Sequence, residues 1–191
     1  MTPEFIKAYV ITLTSEGFYS NHPNDRGGET FKGIARKFHP TWKGWIIVDE
    51  YKTKGNFPQN LYKVVDALDE LTREFYYKEF WLKMKLDQIR YQPILNELFD
   101  TGVNMGPATA ITDLQRSLNI LNRNQKDYPD LKVDGQIGSV TINCVNNHNY
   151  KKRVFNALNG FQFKRYIEIC EKDKSQEVFF AGWLNRIELM Q

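Results

Sequence analysis

Apolar side chains recur at three- and four-residue intervals through most of this chain, and Pro or Gly interrupts the pattern at Gly17, Pro40 and Gly106-Pro107. That punctuated period constrains the chain to a mainly α fold. Thr2 followed by Pro3 reads as an N-cap with proline in the first turn. Phe5, Ala8, Tyr9, Thr12 and Leu13 then share one helical face that runs out near Glu16-Gly17. From Tyr19 to Gly33 the density of Asn, Pro, Asp and Gly predicts a loop or short hairpin. Phe31, Ile34, Ala35 and Phe38 are spaced for a short helix stopped by Pro40, and Trp45 to Tyr51 for another. The strongest pattern lies from Asp66 to Lys85, where Leu68, Leu71, Phe75 and Leu82 keep the 3.6-residue period. Its flanking rings, Tyr76, Tyr77, Phe80 and Trp81, are a core stripe more readily than a platform for a ligand. Pro93 opens a helix toward Val103, Gly106-Pro107 breaks it, and Ala108, Ile111, Leu114, Leu118 and Leu121 mark the next. After a polar loop from Asn122 to Lys132, Asp134-Gly135 reads as a turn and Ser139 as an N-cap. Lys151 to Lys172 and Gln176 to Leu189 are the closing helices.

At 191 residues the chain can bury a substantial core as one domain or as two packed lobes. Its formal net charge of +3 is spread along the length, with no basic tail or block, which argues against strong binding to nucleic acid. A mildly cationic surface still suits an anionic polymer. No segment approaches the roughly 20 apolar residues of a membrane span, so stable membrane insertion is not expected. The amino terminus lacks the basic, apolar and small-residue regions of a secretory signal. Cys144 and Cys170 read as unpaired structural thiols, and His22, His39 and His148 lack metal-ligand spacing. Neither a metal nor a cofactor is expected.

Two carboxyls stand out against this background. Glu16 falls at the end of the first helix, beside Phe18 and Tyr19, where covering rings would desolvate it and favour its protonated form. Asp25 lies nine residues on, in the polar turn Asn24-Asp25-Arg26-Gly27-Gly28, where it would stay solvated and ionised. A glycosidase separates an acid from a base or nucleophile in this way. The bland alternatives are a solvated helix-end glutamate and an Asx-turn aspartate that only shapes its loop.

Ser15-Glu16-Gly17-Phe18-Tyr19, then Asn24-Asp25-Arg26-Gly27-Gly28-Glu29-Thr30 and Gly33-Ile34, resembles the amino-terminal signature of glycoside hydrolase family 108, N-acetylmuramidases of phage and bacterial origin. Phe18 stands where that family usually has a second glycine, a departure that bears on local backbone geometry more than on chemistry. The Glu-x8-Asp spacing followed by a threonine also looks like the phage lysozymes of glycoside hydrolase family 24. Asp100-Thr101-Gly102-Val103-Asn104-Met105-Gly106, Leu114-Gln115, Val133 to Gly138 and Phe180 to Arg186 are similar to the peptidoglycan-binding-like region that accompanies family 108.

The resemblance implies a lysozyme-like helical fold with a small loop or β-hairpin lobe after the first helix. It implies a catalytic region over 1–92 and a peptidoglycan-binding-like region over 93–191 packed against it. The substrate would be bacterial peptidoglycan, cut between N-acetylmuramic acid and N-acetylglucosamine, with Glu16 as general acid. Asp25 would stabilise the oxocarbenium-like state or activate water, with Glu29 as a competing carboxylate and Thr30 able to position a water. Tyr19 either lines the cleft or packs, and Asn104, read as a buried amide, either contacts substrate or caps a helix. The Asp134 to Gly138 segment binds wall or completes the fold, and Trp183 and Arg186 either share in wall binding or, more simply, anchor the last helix. A monomer is expected, made in the cytoplasm and released to the wall through a pore or by lysis, as in an endolysin. A noncatalytic wall-binding or secretion-assisting protein on the same scaffold is the rival. A peptidase is disfavoured because neither a Cys and His arrangement nor a His-Glu-x-x-His pattern is present.

Overall fold

The computed structural model describes residues 1–13, 17–21 and 28–187. The fold is mainly α and lysozyme-like, with eight α-helices and one small three-stranded antiparallel sheet among the described residues. Apart from the first two residues, the chain divides into two compact units, Pro3–Glu79 and Phe80–Gln191.

In the first unit, helix α1 (Pro3–Leu13) buries Phe5, Ala8 and Thr12, one residue per turn on the face that the sequence period marks. Strands β1 (Tyr19–Ser20), β2 (Thr30–Phe31) and β3 (Ile34–Ala35) pair in that order, with Tyr19 opposite Phe31 and Phe31 opposite Ile34. The short helix expected from Phe31 to Phe38 is therefore replaced, over residues 30–35, by a hairpin. Its two turn residues, Lys32 and Gly33, have φ of 42° and 79°. A two-residue turn with both φ positive matches the twist of a hairpin and terminates a right-handed helix. Phe31 and Ile34, three apart as on a helix, are instead cross-strand partners, both fully buried.

Helix α2 (Gly44–Lys52) buries Trp45 and Val48, and α3 (Val65–Tyr76) buries Leu68, Thr72 and Tyr76 at successive turns. The hairpin is fastened to α3 twice. Tyr76 Oη donates to the Lys32 carbonyl at 2.9 Å, and Lys32 Nζ meets Asp69 Oδ1 at 2.5 Å. Leu82, expected inside, is 42% exposed, whereas Trp81 is fully buried. The segment Tyr77–Leu82 is π-helical, and its extra residue turns everything beyond it by about 100° relative to an α-helix.

The second unit is helical. Helix α4 (Gln92–Met105) and α5 (Pro107–Leu121) meet at Gly106, whose φ of 94° is left-handed and which ends α4 as Pro107 begins α5. Helices α6 (Ser139–Asn147), α7 (Lys151–Lys172) and α8 (Glu177–Leu184) follow. Ser139 is the first residue of α6 and not its cap. Gly138 occupies the cap position, with no side-chain capping bond. The core joins Ile94, Leu95, Leu98 and Phe99 of α4, Ala110, Ile111, Leu114 and Leu118 of α5, and Val154, Leu158 and Tyr166 of α7. The Asp134-Gly135 turn is held from α5 by Gln115, whose Oε1 accepts from the backbone N–H of Asp134 and Gly135 and whose Nε2 donates to Asp134 Oδ1 and the Gln136 carbonyl, and from within by the Gln136 N–H donating to Asp134 Oδ1. Trp183 stacks on Tyr166, and Arg186 donates to Asp100 Oδ1 at 2.7 Å, with Gln162 Nε2 on Oδ2 at 2.8 Å. No described helix is long and apolar enough to cross a membrane.

Candidate active site

Glu16 and Asp25 lie outside the described residues, so the geometry on view is that of the segments on either side of them. Phe18, in place of the family's second glycine, packs its ring parallel to Tyr62 at 4.3 Å and edge-on to Phe31 at 5.1 Å. Its carbonyl accepts from Lys32 N at 3.0 Å, so this bulky residue fixes the chain entering β1 against the hairpin.

Tyr19 and Glu29 form one network. Tyr19 Oη donates to Glu29 Oε1 at 3.0 Å, and Lys52 Nζ reaches the same oxygen at 2.6 Å. Arg36 NH1 binds Glu29 Oε2 at 3.0 Å and, with NH2, grips Asp49 in a two-pronged pair at 2.6 and 2.5 Å. Lys52 also meets Asp49 at 3.2 Å, and the Arg36 guanidinium lies over the Trp45 ring at 5.1 Å. The Glu29 side chain is 12% exposed. Its burial favours the neutral acid, but the donors on Lys52, Arg36 and Tyr19 outweigh that and hold its carboxyl below the usual range. The hydrogen bond from Arg36 brings Asp49 to about 2. Burial, together with the bond to Glu29, pushes the Tyr19 phenol up to about 12.

Glu29 is thus an ionised anchor with its oxygens occupied, and Tyr19 is a neutral donor committed to it, with its ring edge-on to Phe57 at 4.8 Å. The pair ties together the start and the finish of the stretch that contains Asp25. Thr30 Oγ1 donates to the Gly28 carbonyl at 3.2 Å, which shapes the turn leading into β2. Asn104, read from sequence as a buried amide, is exposed. Its Nδ2 donates to the Asp100 carbonyl one turn back at 2.8 Å. Tyr19, Glu29 and Thr30 are brought together within the first unit, and Asn104 belongs to the second.

Sequence reading missed Arg36, Asp49 and Lys52. Only the three-residue spacing of Asp49 and Lys52 on α2 was visible beforehand, and nothing local pairs either with Glu29. A groove of about 180 Å³ lies beside the end of α1, lined by Tyr9, Val10, Leu13, Lys32, Asp69 and Arg73. No cluster of three or more His, Cys, Asp or Glu suited to a metal occurs among the described residues, and both cysteines are free thiols.

A family model described as Glycosyl hydrolase 108 matches residues 9–106, and one described as Predicted Peptidoglycan domain matches residues 109–188. The seam between them falls at the Gly106-Pro107 break, whereas packing divides the chain after Glu79. Helix α4 is therefore hydrolase by sequence and core of the second unit by contact. A solved structure of Brucella abortus SagA is similar in fold, with a TM-score of 0.62 at 22% identity over 95% of this chain and 88% of that one. No curated protein matches the chain. The two matched models connect the chain to glycosidic hydrolysis and to peptidoglycan as its partner. With more than half its length matched by that one model, the chain belongs to the glycosyl hydrolase 108 family.

Proposed function

We propose that this protein is an N-acetylmuramidase that hydrolyses the bond between N-acetylmuramic acid and N-acetylglucosamine in bacterial peptidoglycan. The observation that carries the reading is the hydrolase match over residues 9–106, which contains both Glu16 and Asp25, continued by the peptidoglycan match over 109–188. Glu16 protonates the leaving glycosidic oxygen as positive charge builds on the muramic acid ring. A water then adds at the anomeric carbon, assisted by Asp25, and leaves a new reducing end. Thr30, at the head of β2 with its hydroxyl bonded to the Gly28 carbonyl, acts by positioning a water. Tyr19 and Glu29 act by holding the turn, a role supported by their mutual bond and by the two cations on Glu29.

In this reading the enzyme is made in the cytoplasm and reaches the wall through a pore or by lysis, as an endolysin does. Expression without any pore-forming partner would then leave cells intact until they are broken open, and spontaneous lysis would contradict the route. The reaction is tested by digesting purified peptidoglycan and reducing the soluble products with borohydride before mass spectrometry. Muramitol ends are expected, whereas glucosaminitol ends or new amino termini would reject it.

A further inference from the structure

In the second unit, helices α5 and α7 leave a groove of about 370 Å³ between them, away from Tyr19 and Glu29 in sequence and in unit. Arg116 lines it from α5, and Lys164 and Arg165 from α7, so three cations face two acids, Asp113 and Glu168. Arg116 is pre-oriented, its guanidinium 4.2 Å from the centre of the Phe161 ring. Its bond to Asp113 is long, 3.5 Å, and so is the Lys164 to Glu168 pair at 3.6 Å. Arg165 lies close enough to the same Asp113 to favour its ionised form. Cations held in place but loosely paired can exchange those partners for a ligand's carboxylates at little cost. Burial pushes the Asp113 carboxyl up, while Arg116 and Arg165 favour its ionised form.

The ligand follows from these groups. The one aromatic ring among them, Phe161, already has a guanidinium over one face, and neutral N-acetylglucosamine brings no charge for three cations. The stem peptides of peptidoglycan bring several carboxylates and, in diamino acids, an ammonium that Glu168 can meet. All six residues lie within the 109–188 match. We propose that the α5–α7 groove binds the carboxylates of a peptidoglycan stem peptide, with Arg116, Lys164 and Arg165 as its ligands. The proposal rests on the reading of the chain as a peptidoglycan hydrolase and adds where, and by which part of the polymer, the second unit holds its substrate.

The test uses the full chain and three probes: a synthetic stem tetrapeptide, the same peptide with every carboxyl amidated, and a peptide-free N-acetylglucosamine oligomer. Backbone resonances of α5 and α7 near Arg116 and Arg165 should shift with the free peptide and stay put with the other two. R116A/R165A should bind the peptide at least tenfold more weakly, and added salt should weaken the wild type. The same variant should release reducing ends from peptide-stripped glycan at the wild-type rate, which also shows that it folds. Shifts confined to another surface, no shifts, or undiminished binding by the variant would overturn the groove. A wild type that shifts at the groove but releases no reducing ends would instead overturn the hydrolase reading.

Discussion

Replacing Glu29 by Gln isolates the charge that joins β1, β2 and α2. Gln keeps the shape and one acceptor for Tyr19, but it leaves Arg36 and Lys52 with Asp49 alone. Glu29 is 12% exposed, while Arg36 and Lys52 are 32% and 33% exposed. The pair therefore falls between exposed bridges, about 0–1 kcal/mol, and buried ones, about 3–5 kcal/mol when one partner is removed. With Asp49 still neutralising part of the cationic charge, the expected loss for E29Q is about 1.5 kcal/mol at pH 7. The pH dependence has a definite sign. Glu29 has a folded value below its usual 4.5, so its contribution is complete above that value and disappears as pH falls through the folded one. Urea denaturation of wild type and E29Q, followed by tryptophan fluorescence, should show a gap of about that size at pH 7 that narrows at pH 3. Equal stability at pH 7, or a gap that widens in acid, would refute the assignment of Glu29 as an ionised anchor.

Three further substitutions probe the second unit by urea denaturation. Q115A strands the N–H groups of Asp134 and Gly135 and should cost about 2–3 kcal/mol, against no measurable change if the turn holds itself. G135A places a Cβ 3.0 Å from the Ala108 carbonyl at a φ of 69°, so a loss of about 1–2 kcal/mol is expected, and wild-type stability would show that the turn can shift freely. R186A leaves the Asp100 carboxylate, 11% exposed, with the Gln162 amide in place of a cation, and should cost about 3 kcal/mol. R186A/D100N should recover part of that loss, and a double variant no better than R186A would deny the coupling.

Helices were legible where one face carries the period, as with Phe5, Ala8 and Thr12 or Leu114 and Leu118, because burial and spacing then say the same thing. A short hairpin after the first helix was legible in the turn residues from Tyr19 to Gly33, but its continuation into β3 was not, since Phe31, Ile34 and Ala35 fit a helix face as well as cross-strand pairing, and the decision rests on the backbone of Lys32 and Gly33. Leu82 was misplaced because a π-turn leaves no mark in the hydrophobic period that precedes it. Around the site, the carboxyls came from the motif, while Arg36 and Lys52 did not. Charges seven and 23 residues from Glu29 become its partners only after β3 and α2 have packed. The exposure of Asn104 was not legible for a simpler reason: a motif of small residues around an amide gives no information on which way the helix faces it.

The proposed reaction stands on Glu16 as the source of the proton for glycosidic cleavage. Wild type and E16Q, matched for folding by circular dichroism, should be compared for the initial rate of muramic acid reducing ends released from purified peptidoglycan. A fall of at least a hundredfold is expected in E16Q, in line with the usual contribution of a general acid, with wall binding unchanged. A variant that retains most of the wild-type rate would contradict it.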